Sequence, residues 1–122
     1  MELSVETTEL SGIPVLAFGG DLDGTLVNEF EQAVIEAAQD AGRRVIVDLG
    51  EVTYIDSRAF GRLLKAHVIL EKEGGDLAIV VGDSSVARVI HAFGADYLLA
   101  VFSAMDPAVE YLRSLPPAAE SS

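Results

Sequence analysis

Apolar and polar positions alternate where the chain begins. Leu3, Val5 and Thr7 fall on one side, Glu2, Ser4 and Glu6 on the other. A period of two predicts a half-exposed strand over residues 1–8. Ser11-Gly12 is a turn pair, and residues 13–18 predict a second strand whose Pro14 suits its start. So short a connection makes the two strands antiparallel neighbours.

Over residues 25–41 the period changes. Leu26, Phe30, Ala33, Val34, Ala37 and Ala38 share one face of a helix, and Gly42 stops it. Residues 45–49 form an unbroken apolar run of buried-strand type, followed by a turn and a short apolar return. Residues 57–73 are helical again, with Phe60, Leu63, Leu64, His67 and Leu70 on one stripe before Gly74-Gly75. Residues 77–81 predict another buried strand. A short helix follows over 84–93, with Val86, Val89, Ile90 and Phe93 inward and Gly94 closing it. A last strand is expected at 98–102. Asp106 reads as an N-cap with Pro107 at the first helical position, opening a helix that buries Val109, Leu112 and Leu115.

The expected order is β-β-α-β-α-β-α-β-α. Alternating strands and helices imply an α/β fold built on a single mixed, mostly parallel β-sheet, with one antiparallel strand added by the opening hairpin. One domain over residues 1–115 and a disordered tail over 116–122 account for the whole chain, since Pro116-Pro117 breaks the final helix.

Composition narrows the chemistry. Half of the 122 residues are apolar, enough for one core, and the absence of cysteine excludes a disulfide scaffold and a thiol nucleophile. Residues 1–9 carry Glu2, Glu6 and Glu9 but no Lys or Arg, unlike a signal peptide. No apolar stretch approaches the ~18 residues of a membrane span, so a soluble cytoplasmic protein is expected. The 8 basic residues against 20 acidic ones give a net charge of -12, a field that repels nucleic acid. His67 and His91 lie apart and make a poor metal site. No Ser-His-Asp set or nucleotide loop stands out. A non-enzyme without cofactor or metal is expected.

Two segments carry candidate chemistry. The first is Asp21-Leu22-Asp23-Gly24-Thr25-Leu26-Val27, directly after a strand. It resembles the nucleophile motif of haloacid-dehalogenase-type phosphatases, in which the first aspartate attacks phosphorus, the second handles the proton, and Mg²⁺ is bound nearby. Gly82-Asp83-Ser84 resembles the start of that family's later acidic motif, but Ala87 stands where a second aspartate is needed. A helical pattern also follows at once, where that fold has a flap hairpin. A simpler reading has Asp23 or Thr25 capping the helix and Gly24 permitting the turn.

The second segment runs from Val45 through Asp48-Leu49-Gly50-Glu51-Val52-Thr53-Tyr54-Ile55-Asp56-Ser57 to Leu64. It resembles the signature of the STAS family, named for sulfate transporters and anti-sigma-factor antagonists. The family pattern, Asp-Leu-Ser-x-Val-x-x-Ile-Asp-Ser-x-Gly-Leu-Gly, is matched at Asp48, Leu49, Val52, Ile55, Asp56, Ser57 and Gly61. Gly20-Asp21-Leu22-Asp23 resembles the Gly-Glu-Leu-Asp that precedes the family's first helix. The chain departs from the pattern at Gly50, Ala59 and Phe60, and Arg58 stands where the family usually has a small residue.

The resemblance implies an anti-sigma factor antagonist. Ser57 is the expected phosphoacceptor, the unmodified form binds an anti-sigma factor that is often also the serine kinase, and a separate serine phosphatase resets the switch. STAS domains also serve as scaffolds in transport or stress-signalling complexes. Asp21, Asp23, Asp56 and Asp83 are expected at one edge of the sheet, where strands end and helices begin. Arg58, Arg62, Lys65 and Lys72 lie on one side of the second helix and hold half of the 8 basic residues. That side is either an ordinary solvated face or a basic ridge that orients an acidic partner. Arg58 is also placed to pair with a phosphate on Ser57.

Overall fold

The computed structural model describes residues 3–23, 27–39, 42, 44–82 and 85–115. The predicted tail over 116–122 and the positions Thr25, Leu26, Asp83 and Ser84 lie outside the described residues. Among the described residues, β1 (Ser4–Leu10), β2 (Ile13–Leu22), β3 (Arg44–Ile55), β4 (Asp76–Val80) and β5 (Ala100–Phe102) form one sheet in the order β1-β2-β3-β4-β5. β1 runs antiparallel to β2, and every other neighbour is parallel. The turn at Ser11-Gly12 has both residues at positive φ, 54° and 80°. This is the left-handed geometry that two-residue hairpin loops need.

The strand order explains where the helices go. From β2 to β5 each step moves to the next position in the same direction. Right-handed crossovers then place every connecting helix on one face. α1 (Val27–Ala38), α2 (Ser57–Lys72), α3 (Ser85–Ala92) and α4 (Ala95–Leu98) all share the larger core on that face, around Phe18, Phe30, Leu63 and Ile79. α5 (Met105–Ser114) follows the last strand and covers the other face, where Ala108 and Leu112 meet Ile13, Val15, Ile46 and Ala78. Phe18 and Phe30 pack edge to face with centroids 4.8 Å apart.

Several expectations need correction. β1 is exposed along its whole length, not half-buried. It is an edge strand that neither helical layer reaches, and Glu6 and Glu9 on it discourage further strand pairing. β3 is one continuous strand of 12 residues, not a run of five followed by a turn and a return. Its buried residues Val52 and Ile55 are three apart, which breaks the period of two. The cause is a pair of register irregularities against β2, between Ala17 and Gly19 and between Gly20 and Asp21.

A one-turn helix, α4, precedes β5, which shortens the expected strand to Ala100–Phe102. Ala95 and Leu99 are buried while Tyr97 and Leu98 are exposed, a helical spacing that a short apolar run conceals. α5 begins at Met105, with Ala104 in the cap position and no side-chain cap, so Asp106 is not the N-cap. Pro107 is still tolerated there, because first-turn N–H groups have no intrahelical acceptor. Leu112 is fully buried as expected, whereas Val109 and Leu115 are half-buried.

Candidate functional site

The C-terminal ends of the parallel strands point to one pole of the molecule. β3 overshoots β4 there. Its pairing with β4 ends at Asp48–Val80, while pairing with β2 continues through Gly20–Val52 and Asp21–Tyr54 to Leu22–Ile55. The far half of β3 is therefore a two-stranded projection, with Glu51, Thr53 and Tyr54 exposed. Asp21 lies on this projection inside β2, and its Oδ1 accepts a 3.1 Å hydrogen bond from the Thr53 hydroxyl. Asp23 follows β2, half-buried, at the same pole. Asp83, expected with them, lies outside the described residues.

β3 hands over directly to α2. Asp56 has extended backbone geometry, φ -112° and ψ 175°, and its Oδ1 accepts from Ala59 N at 3.0 Å. Asp56, not Ser57, is thus the N-cap. Ser57 is the first helical residue and is exposed, and no hydrogen bond engages its hydroxyl among the described residues. The free end of the helix offers a partial positive charge and unpaired N–H groups, an environment that tolerates an anion. Gly61, one turn along from Ser57, is exposed, and a methyl group added there meets no atom within 4 Å. The remainder of α2 is anchored by Ala59, Leu63, Ala66 and Leu70, all fully buried. Each leucine contributes about 1.5–3 kcal/mol of burial, so the helix bearing Ser57 is a fixed platform.

Two of the basic residues of α2 pair with α1. Arg62 Nη1 donates to Asn28 Oδ1 at 2.6 Å and to Glu31 Oε1 at 2.8 Å. Lys65 Nζ stands 3.6 Å from Glu31 Oε2. Both cations are turned toward α1, because Glu31 is a buried carboxylate that needs neutralising. Arg58 differs. It is two-thirds exposed, and its Nη2 lies 3.0 Å from Asp56 Oδ2.

A second polar cluster, at the opposite pole, was not evident in the sequence. β5 starts opposite Ala78, which leaves the first residue of β4, Asp76, uncovered at the sheet edge. Asp76 therefore meets both layers. The Tyr111 hydroxyl on α5 donates to its Oδ2 at 2.6 Å, and His67 Nδ1 on α2 stands 3.0 Å from its Oδ1, off-line for a hydrogen bond. His67 Nε2 is also 3.9 Å from Glu71 Oε2. His67 thus has two acidic neighbours. Residues 67 and 71 are one helical turn apart, but the contact with Asp76 depends on where β4 begins. No group of three His, Asp or Glu side chains among the described residues is placed to hold a metal ion.

The model of the STAS domain matches residues 4–108. An anti-sigma-B factor antagonist of Staphylococcus aureus (strain NCTC 8325 / PS 47) is 29% identical over 83% of this chain and 94% of its own. The crystal structure of an anti-sigma factor antagonist from Mycobacterium paratuberculosis superposes with a TM-score of 0.80 at 23% identity, covering 93% of this chain and 96% of that one. The Bacillus cell fate determinant SpoIIAA in its phosphorylated form superposes with a TM-score of 0.64 at 18% identity, covering 90% of this chain and all of that one. The fold, the Asp56-Ser57 junction and the extent of the match lead to one conclusion: this chain belongs to the STAS domain family.

Proposed function

We propose that this protein is an anti-sigma factor antagonist whose binding is switched by phosphorylation of Ser57. One observation carries the reading. Ser57 is an exposed hydroxyl at the start of a helix that another residue already caps. The names of the similar proteins from Staphylococcus and Mycobacterium support the partner class. The protein acts by binding rather than by turnover, and its site of action is the cytoplasm. No helix among the described residues is long and apolar enough to cross a membrane.

In this scheme the unmodified chain binds an anti-sigma factor, which releases its sigma factor. The anti-sigma factor, or a separate serine kinase, then transfers the γ-phosphoryl group of ATP. The Ser57 Oγ–P bond forms, the bond between the γ-phosphorus and the bridging oxygen breaks, ADP departs, and the serine proton passes to a base of the kinase. A serine phosphatase hydrolyses the ester. The added charge of about -1.5 to -2 needs no refolding, because the helix end accepts it. It acts at the docking surface, where Asp21, Asp23 and Asp56 already make the pole acidic. A loss of ~3 kcal/mol weakens the complex more than a hundredfold. Arg58 is a basic contact available to a partner, and Arg62 and Lys65 brace that helix against α1.

The test is a binding measurement with native and Ser57→Asp chains against the anti-sigma factor, with labelled ATP to follow phosphorylation. Native chain is labelled and Ser57→Ala is not. The Ser57→Asp chain binds at least tenfold more weakly. Equal binding by both chains, or labelling that survives Ser57→Ala, overturns the proposal.

A further inference from the structure

Arg58 stands where the family pattern usually has a small residue, and its conformation gives it a specific capability. Its side chain does not follow the outer face of α2. It folds toward the helix N-terminus and rests on Asp56 Oδ2, 3.0 Å away. The guanidinium thus sits on the residue that precedes Ser57, at the same end of the helix.

We infer that Arg58 is the internal counter-ion of the phosphorylated site, leaving Asp56 for the phosphate when Ser57 is modified. This rests on the phosphorylation reading above and adds the residue that receives the charge. Three features favour the exchange. The resting pair is solvent-exposed on the arginine side, at 67%, so water screens it and little holds it in place. A phosphate offers nearly two charges and three acceptor oxygens, and a guanidinium binds such a group through two parallel N–H bonds. The exchange also leaves the helix intact, because Asp56 uses its other oxygen, Oδ1, for the cap on Ala59 N.

The alternatives on the same helix are committed elsewhere. Arg62 is held by Asn28 and Glu31, and Lys65 faces Glu31. The carboxylates described at this pole include Asp21, Asp23, Glu51 and Asp56, which disfavour a dianion. Arg58 offsets them, and it keeps the phosphorylated site from presenting its full charge to solvent.

The experiment uses the full chain with phosphoserine incorporated at position 57, so that no kinase is needed. Phosphorus NMR follows the second ionisation of the phosphate, near pH 6 in a free ester. A paired guanidinium favours the dianion, so the midpoint in the native background is expected at least about 0.3 unit below that of Arg58→Gln. Arg58→Lys, which keeps the charge without the fork, is expected between the two. The Arg58 Nε–H resonance is expected to move on phosphorylation. Coincident titrations in the native and Arg58→Gln chains, or an Arg58 resonance that does not move, overturn the inference. Neither outcome bears on whether phosphorylated chain loses its anti-sigma factor, which is the separate test of the proposed function.

Discussion

Arg62 Nη1 lies 2.8 Å from Glu31 Oε1, and this contact fastens α2 to α1. The Glu31 side chain is 11% exposed, and its other close cation, Lys65 Nζ, is 3.6 Å away. Arg62→Ala leaves that carboxylate under-neutralised. The expected cost is about 1–2 kcal/mol, less than for a fully buried pair because Arg62 is partly solvated. Urea denaturation reads it as a lower midpoint at unchanged slope, and an unaltered midpoint rules the clamp out. Glu31→Gln, which keeps an acceptor for Arg62, is expected to cost less than Arg62→Ala.

Asp56 supplies the N-cap of α2 through Oδ1. Asp56→Ala is expected to destabilise the chain by about 1 kcal/mol, and Asp56→Asn by far less, since asparagine caps equally well. Ser57→Ala is expected to leave stability within about 0.5 kcal/mol, as an exposed residue with no structural role. Thermal or chemical unfolding of the three variants checks the order. A Ser57→Ala chain as unstable as Asp56→Ala contradicts the assignment of the cap.

Gly61 sits inside α2, where glycine costs about 1 kcal/mol relative to alanine. An added Cβ there meets nothing within 4 Å in the isolated chain. Gly61→Ala is therefore expected to raise stability by up to about 1 kcal/mol. Unfolding measurements decide it, and a destabilised variant defeats the prediction. If the stabilised variant also binds the anti-sigma factor more weakly, the glycine serves close approach of a partner and not the fold.

The Tyr111 phenol is pushed from 10.0 up to about 12, first by burial, then by its hydrogen bond to Asp76 and the negative charges of Asp76 and Glu71. The fold prefers the neutral phenol. Its contribution to stability is therefore complete below the unfolded value of 10.0 and disappears as pH rises through about 12. Alkaline titration followed by tyrosinate absorbance is expected to show a late component near pH 12 that is missing in Tyr111→Phe. Loss of stability over that window is expected to be shallower in the variant. Persistence of the late component in Tyr111→Phe assigns it to another residue.

The segments most legible in the sequence were those whose period survives packing. The stripe of Phe60, Leu63 and Leu70 predicted α2, and the apolar runs around Ile46 and Ile79 predicted central strands buried on both faces. The Asp56-Ser57 junction was legible because β3 feeds α2 with no intervening loop. Three features were not. The register shifts near Gly19 and Gly20 break the alternation of β3, so Val52 and Ile55 read as a separate return. α4 is a single turn, too short to establish a period. The Arg62–Glu31 and His67–Asp76 contacts join residues 31 and 9 positions apart, and they depend on how helices and strand ends meet in space. On the face of α2 read as either solvated or a basic ridge, Arg62 and Lys65 meet Glu31 of the neighbouring helix.

Stopping the helix with residue 56 and presenting the hydroxyl on residue 57 divides two duties between adjacent side chains. An enzyme that esterifies Ser57 does not uncap α2, and one that removes the ester has nothing to restore. In the proposed cycle the signal can be written and erased many times with the population of unfolded chain unchanged. A serine that capped its own helix would couple every round of signalling to the integrity of the scaffold.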